Sequence, residues 1–296
     1  MQEVWRISRA VFLAVCMLVH AGEAATHKKP KPGTAPSTAM TFAIVRSSVI
    51  GCEPKCPEWI AAEGELKPST GAQFKTFMKK LGKQRLPVVI TSPGGDVNSA
   101  LAMGQMIRER RLDVTVGWTL YSGCGPASKG CAPPKAQGGI YHGLIIGMRA
   151  YCFSACPFIL AAGQRRVVGT GAFVGVHEIT TQPFFQRVRY YETYRMVHGR
   201  KKVLSRKVVS RRNIVGKTTT KLSKPFDKKL RTYLNTMGVS LTMLDLLHLA
   251  PPSSIHSLTT DEMKSTNLAT DFSLAADLVA NSLCTQAIPA DNCVKR

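Results

Sequence analysis

The sequence predicts an α/β fold built on parallel strands, and two features carry that prediction. Short apolar runs such as "PVVIT" (87–91) are typical of strands that are buried on both faces. They alternate with stretches such as "NSALAMGQMIRERR" (98–111), which place apolar side chains at helical spacing. Strand, helix and strand joined by short links favour a right-handed parallel arrangement.

The remaining elements follow in order along the chain. β-formers at 40–50 predict a first strand, and 70–82 predicts an amphipathic helix that ends at Gly82. After a Gly- and Pro-rich insertion at 122–139, further strands are predicted in "GLIIGMRA", "RRVVGT" and "AFVGVHE". The segment 186–235 is predicted to be helical, with a break at "GKTTTKLSK". Near the end we expect a helix in "LTMLDLLHLAPP", then a strand, a helix capped by Thr260 or Asp261, and a return strand.

The N-terminus is typical of an exported protein. Residues 1–24 combine early arginines, the apolar run "VFLAVCMLVHA" and small residues before a cleavage point after Ala24, which predicts a signal peptide. An uncleaved anchor is the alternative, but the run is shorter than the ~20 apolar residues that a span requires. Residues 25–39 are rich in Pro and Lys and predict a disordered linker. We therefore expect a mature domain at 40–283, in the periplasm or secreted.

The cysteines fit an oxidising compartment. Nine are present, and apart from Cys16 in the leader they fall in close couples, which makes disulfides the expected reading. Connectivity stays open at this stage, because either cysteine of the first couple could bridge to the third. The last couple predicts a disulfide in the tail, 284–296. Zinc is the rival, but C-x3-C is not the usual spacing, and no metal site is expected. The candidates are Cys52 with Cys56, Cys124 with Cys131, Cys152 with Cys156, and Cys284 with Cys293.

The chain is strongly basic, with 40 Lys and Arg against 18 Asp and Glu and a net charge of +22. Much of the excess lies at 186–231, where Glu192 and Asp227 are the only acidic residues. For an exported protein we expect an anionic envelope surface or an acidic substrate as the partner, and no nucleic acid. The alternative is a solvated face that only keeps the protein soluble.

Hydrolysis of an acyl bond needs a nucleophile, a base and donors for the oxyanion, and the sequence offers each of them. Ser154 precedes the helical run "ACPFILAAG", so the amide of Ala155 can serve as one donor. The turn "SPGGDV" offers Gly95 as the second, because glycine lets the backbone approach a substrate closely. His177 ends the strand "AFVGVH" and is the candidate general base.

Two stretches, "ITSPGGDVNSALAMGQMIR" and "CFSACPFILAAGQRRVVGTGAFVGVHE", resemble the proteolytic subunit of Clp protease and its relatives in the Clp protease/crotonase superfamily. The resemblance runs from about Arg85 to Thr270, and the whole chain is most similar to the superfamily's exported bacterial proteins. It implies a single-domain spiral of ββα units with parallel sheets, Ser-His-Asp chemistry and assembly into homo-oligomers. The nucleophile falls on Ser154, the base on His177, and the oxyanion donors on Gly95 and Ala155.

The third member of the triad is the point where the chain departs from the family. The family's acid aligns with Leu247, so the nearby Asp245 is the first candidate acid and Asp227 the second. A Ser-His dyad without an acid is the other alternative. A Ser-Lys dyad with Lys207 or Lys217 is the enzymatic rival.

We therefore expect a secreted or periplasmic serine hydrolase, a peptidase that acts on a peptide or protein without a cofactor. The alternative is a catalytically inactive envelope protein that uses the same scaffold and binds an anionic partner through its basic segment.

Overall fold

The computed structural model describes residues 38–53, 55–133, 139–182 and 184–281, all within one compact unit, Ser37–Arg296. The predicted signal peptide, nearly all of the linker and the C-terminal tail lie outside the described residues. The expected pairing of Cys284 with Cys293 lies outside them too, and remains a prediction.

Strands and helices alternate through the first half of the described chain, as the sequence predicts. The strands are β1 (Thr41–Ser47), β2 (Glu58–Glu63), β3 (Val88–Thr91), β4 (Val114–Val116), β5 (Trp118–Tyr121), β6 (Tyr141–Ile146), β7 (Tyr151–Phe153), β8 (Arg166–Val167), β9 (Phe173–Val176), β10 (Phe184–Val197), β11 (Arg200–Val215) and β12 (His256–Ser257). The helices are α1 (Thr70–Leu81), α2 (Val97–Glu109), α3 (Cys156–Ala161), α4 (Lys224–Met237), α5 (Met243–Leu247), α6 (Thr260–Ser265) and α7 (Ala275–Asn281).

A seven-stranded sheet with the order β5-β6-β1-β2-β3-β4-β8 forms the centre of the molecule. Within this sheet, four pairs of adjacent strands are parallel, namely β1/β6, β2/β3, β3/β4 and β4/β8. The pairs β1/β2 and β5/β6 are antiparallel. The α/β class with a mainly parallel sheet is thus confirmed.

The central sheet is buried on both faces, which explains its apolar runs. On β3, Val88 and Ile90 pack into the main core together with α1 to α4, whereas Val89 packs on the opposite face with Trp59 and Val279. Successive side chains of a strand point to opposite faces, so both must be apolar here. The turn that follows β3 belongs to the site described below.

A second sheet of three strands, β12-β9-β7, carries the candidate site. β7 and β9 are parallel, with Phe153 opposite Gly175 at their carboxyl ends. The sheet joins the central one where Ser92, directly after β3, bridges to Cys152. The carboxyl ends of β3, β7 and β9 consequently lie in one region.

The largest difference from the sequence-based prediction is the basic segment. The sequence predicts a helical segment over 186–235, but most of it lies in residues 184–215, which form a two-stranded antiparallel hairpin of β10 and β11, here called the ribbon. Its aromatic and β-branched residues alternate with cations at the period of a strand, and His198 and Gly199 both have positive φ, as a two-residue hairpin turn requires. The helical expectation holds only after the break, in α4.

Smaller corrections lie near the C-terminus. The side chain of Thr259, and not of Thr260 or Asp261, caps α6 by accepting from the Glu262 amide. The expected return strand is replaced by a single bridge between Val167 and Asp271.

Each cysteine couple that lies within the described residues is bridged internally, which settles the open connectivity of these six. The disulfides are Cys52–Cys56, Cys124–Cys131 and Cys152–Cys156. None of the helices in the described part of the chain is both long and apolar enough to cross a membrane.

Candidate active site

Ser154 lies on a sharp turn between a strand and a helix. It follows β7 directly, two residues before α3 begins, and its φ of 60° is in the left-handed region. A non-glycine residue there costs about 1–2 kcal/mol, so the surroundings must hold it in place. The Ser154 amide donates to the Gly175 carbonyl at 2.9 Å, and the Phe153 amide donates to the Ser92 carbonyl at 3.0 Å. Strand, serine and helix in this order form the kind of turn that exposes a nucleophile.

The turn after β3 packs directly against this serine. A Cβ on Gly94 would lie 2.5 Å from the Ser154 Cβ and 2.9 Å from the Ala155 nitrogen, and the φ of Gly94 is 96°. Gly95 is restricted in the same way, since its Cβ would lie 2.2 Å from the Leu66 carbonyl oxygen. Only glycine fits at either position, and the glycine pair therefore brings its backbone up against Ser154.

Two backbone amides at this junction have no acceptor among the residues that the structure describes. Leu66 bonds to the carbonyl of Gly94 and to the amide of Asp96, so the Gly95 amide is directed away from Leu66. Across the described residues, neither the Gly95 N–H nor the Ala155 N–H donates a hydrogen bond. Buried backbone donors are rarely left unpaired, and Ala155 is only 1% exposed. The structure thus brings both predicted oxyanion donors to the turn that carries Ser154, with their hydrogen-bonding capacity unused.

His177 reaches the same edge from the neighbouring strand. β7 ends with Phe153 and β9 ends with Val176, so Ser154 and His177 both follow the carboxyl ends of adjacent parallel strands, which run about 4.8 Å apart. Within the described part of the chain, no hydrogen bond joins the Ser154 hydroxyl to the imidazole. Both side chains are half-buried.

The His177 ring is held by a group that the sequence does not single out. Its Nδ1 lies 2.8 Å from the backbone carbonyl oxygen of Glu178. A carbonyl oxygen only accepts, so this bond requires a proton on Nδ1 and leaves the lone pair of the neutral ring on Nε2. Glu178 is fixed in turn: its amide donates to Ala250, and its carboxylate lies 3.3 Å from His248 Nδ1. The ring thereby has the tautomer that a general base needs.

The candidate acids lie elsewhere. Asp245 is exposed on α5, where it interacts electrostatically with Arg231, and Leu247 is buried in the core. Asp227 is paired with Arg231 on α4 at 2.9 Å. No carboxylate in the described residues is hydrogen-bonded to His177.

Within the described residues, neither alternative base is hydrogen-bonded to Ser154. Lys207 is exposed on the ribbon, opposite Tyr191, and Lys217 is exposed just beyond the end of β11.

A cavity of about 930 Å³ adjoins the glycine turn. Gly95 forms part of its wall, together with residues 179–182, which continue the chain from His177. Its size is that of a ligand-binding cleft, and it opens beside one of the free amides. Its apolar lining consists of Pro68, Val97, Ile179, Leu222 and Phe226.

The Cys152–Cys156 disulfide closes a loop around Ser154. Both cysteines are fully buried, and Phe153, Ser154 and Ala155 are the residues between them. The bridge therefore limits how far the turn can open. No group of three or more His, Cys, Asp or Glu side chains in the described residues is arranged to hold a metal ion.

Comparison with known proteins finds no matching family model and no match among curated proteins. Among solved structures, the chain is similar to a variant of the membrane-bound stomatin-specific protease 1510-N, at 12% identity and a TM-score of 0.39 over 74% of this chain and 80% of that one. A second structure of that protease, in complex with a substrate peptide, gives 12% identity, a TM-score of 0.39 and coverages of 75% and 78%. The ClpP protease catalytic domain from Plasmodium falciparum is similar at 11% identity and a TM-score of 0.36, over 77% of this chain and 85% of that one. These likenesses are distant, and the strand order described above defines the fold by itself.

Replacing Gly94 by alanine should abolish the reactivity that the sequence predicts for Ser154. The added Cβ overlaps the Ser154 Cβ and the Phe153 carbonyl oxygen, so the turn must move. Gly123→Ala is the matched control, because Gly123 has a φ of 104° and open space around it, and it should incur only a strain of about 1–2 kcal/mol. We expect covalent labelling of Ser154 by a fluorophosphonate to fall at least 100-fold in Gly94→Ala and to be unchanged in Gly123→Ala. Equal labelling of the two variants would contradict the packing described here.

Removing the disulfide around Ser154 should affect reactivity as well as stability. Cys152→Ala/Cys156→Ala and Cys52→Ala/Cys56→Ala each open a bridge with a sequence separation of 4, so the loss of unfolded-state constraint is about 2 kcal/mol for both. Denaturant unfolding measures this loss of stability. The first variant should lose more stability than the second, because it also removes two fully buried sulfur atoms. Only the first variant should also lower the rate of Ser154 labelling. A labelling rate that falls equally in both would mean that the bridge has no local role.

Proposed function

We propose that this protein is a serine hydrolase in which Ser154 is the nucleophile and His177 the general base. The observation that carries the proposal is the strained Ser154 turn, with the unpaired amides of Gly95 and Ala155 beside it. A left-handed serine without a catalytic or binding role would be replaced easily by glycine, because glycine adopts this conformation without strain.

The chemistry follows from these groups. His177 Nε2 takes the proton of the Ser154 hydroxyl as Oγ attacks the carbonyl carbon, and the amides of Gly95 and Ala155 receive the negative charge on the oxygen. The C–N or C–O bond then breaks, and the imidazolium gives its proton to the leaving group. Water repeats the sequence, which releases the acid and restores the serine.

The Glu178 carbonyl takes the position that a carboxylate occupies in a complete triad. It fixes the ring tautomer, but as a neutral group it stabilises the imidazolium less than a carboxylate does. The proposed enzyme is therefore a Ser-His pair with a backbone carbonyl behind the ring. Asp245, the candidate from the sequence, could contribute only through its charge.

For the substrate we propose a peptide or protein. The cavity beside Gly95 offers apolar walls to a side chain next to the scissile bond, with residues 179–182 along its edge. An exported location remains part of the proposal, and three disulfides in the described residues support an oxidising compartment.

A second candidate function is non-catalytic binding of an anionic envelope partner through the basic segment. The ribbon favours it: residues 184–215 include ten Lys or Arg and a single acidic residue, and nearly all of them are exposed. The two functions are separable, since the ribbon contains none of the proposed catalytic residues.

Covalent labelling tests the catalytic proposal. A fluorophosphonate should modify the oxidised protein at Ser154, and Ser154→Ala should remove the adduct, as peptide mass spectrometry can show. Ser257→Ala is the control, since Ser257 lies on the neighbouring β12 opposite Gly175. His177→Ala should lower the labelling rate by about 10²–10⁴, whereas His256→Gln should leave it within about threefold. A folded, oxidised protein that is not labelled would contradict the proposal.

The contribution of Asp245 can be measured separately. Because Asp245 is exposed and interacts with Arg231, we expect Asp245→Asn to change the labelling rate by less than about threefold, as distant surface charges are screened. A loss near 10⁴-fold, the size seen when a triad acid is removed, would show that α5 rearranges to bring Asp245 to His177.

A further inference from the structure

The ribbon separates its charges between two faces. Directly paired residues share a face, and on one face every charged side chain is a cation without an acidic partner. Like charges even lie opposite each other, in the pairs Arg187/Arg212 and Arg195/Lys202. Opposite like charges destabilise a hairpin, so their presence indicates an anionic partner. The cations of this basic face are Arg187, Arg189, Arg195, Arg200, Lys202, Lys207 and Arg212.

The opposite face contains the ion pairs and the rings of Tyr190 and Tyr194, whereas Phe185 and Tyr191 lie on the basic face. Glu192 accepts from Lys201 at 2.9 Å and from Arg206 at 2.7 Å, and these hydrogen bonds lower the pKa of its carboxyl group. The same two cations lie over the rings of Tyr194 and Tyr190. The only acidic residue of the ribbon is thus already neutralised by two cations of the ribbon itself.

Both faces meet at the end of the hairpin, residues 194–204, here called the ribbon tip. It has no acidic residue and four cations, Arg195, Arg200, Lys201 and Lys202. It also exposes four large apolar side chains, at 43–58% of their surface: Tyr194, Met196, Val203 and Leu204. Leu204 is the extra residue of a β-bulge, between the pairs Tyr194/Val203 and Thr193/Ser205.

We propose that the ribbon tip docks end-on into a membrane that contains anionic lipids. A bilayer surface offers negative headgroups to the cations and an apolar layer to the exposed side chains. A soluble linear polyanion satisfies only the cations and leaves the apolar side chains in water. A second copy of the chain is disfavoured because its tip carries the same positive charge.

The reach of the ribbon agrees with end-on docking. β10 has 14 residues, so the turn lies about 45 Å from the start of the strand. The start lies beside the cavity next to Gly95, where Thr181 pairs with Thr219. A docked tip would hold the cavity at a distance from the membrane surface that the ribbon sets.

Vesicle sedimentation of the full chain tests this inference with a matched pair of variants. Arg195→Gln/Lys202→Gln and Arg187→Gln/Arg212→Gln each remove two cations from a directly opposed pair on the basic face, one pair at the tip and one near the start of the ribbon. On vesicles of phosphatidylglycerol and phosphatidylcholine, the tip variant should bind roughly thirtyfold more weakly, and the other variant less than about threefold. Any contribution from the rest of the chain cancels in this comparison.

The apolar part of the contact is tested by Met196→Ser/Leu204→Ser, which should weaken binding about tenfold at low and at high salt alike, since no charge changes. Met196→Trp should shift its fluorescence to the blue on anionic vesicles. The ribbon touches little besides itself, so circular dichroism and the melting temperature should match the parent protein for each variant.

The outcomes separate the two ideas about the ribbon, and the inference rests on its proposed binding role and not on catalysis. Lipid docking would be overturned if the two charge variants lost vesicle affinity equally, or if the protein bound polyphosphate but not vesicles. Either result would leave an anionic partner that binds along the basic face. Binding to neither would overturn any anionic partner. Labelling of Ser154 would be unaffected in every case.

Discussion

The close approach of two backbones determines the rest of the candidate site. Gly94 lies so near the Ser154 Cβ and the Ala155 nitrogen that no side chain fits between them. This contact brings the carboxyl end of β3, in the central sheet, against the turn after β7, in the second sheet. The proposed nucleophile and both proposed oxyanion donors are thereby gathered from two sheets, and the Cys152–Cys156 bridge limits how far the turn can open. Rigid elements on both sides provide the preorganisation that oxyanion stabilisation requires.

The candidate site and the ribbon are built on different principles. The site depends on burial, since Ala155 and both flanking cysteines are almost fully enclosed, and its chemistry needs few charges. The ribbon depends on exposure and charge, and little besides its own cross-strand pairs holds it. A change in one should therefore leave the other intact, as is usual for groups that share no interaction partners.

Much of the fold and part of the site could be predicted from the sequence, for physical reasons. The doubly buried strand "PVVIT" and the amphipathic helices have periodicities that leave few alternatives. The ribbon was missed because its dense Arg and Lys residues suit either a solvated helix or a strand, and only the alternation with Tyr and Val distinguishes them. The Glu178 carbonyl could not be found, since every residue has such a group. The contact of Gly94 with Ser154 could not be predicted either, because it depends on how two sheets meet in the folded protein.

The most direct test of the central claim is a crystal structure of the fluorophosphonate adduct. We predict a bond from phosphorus to the Ser154 Oγ, one phosphoryl oxygen 2.7–3.1 Å from the Gly95 and Ala155 nitrogens, and His177 Nε2 within hydrogen-bond distance of the adduct. An adduct on another residue, or a phosphoryl oxygen directed away from both amides, would contradict the account.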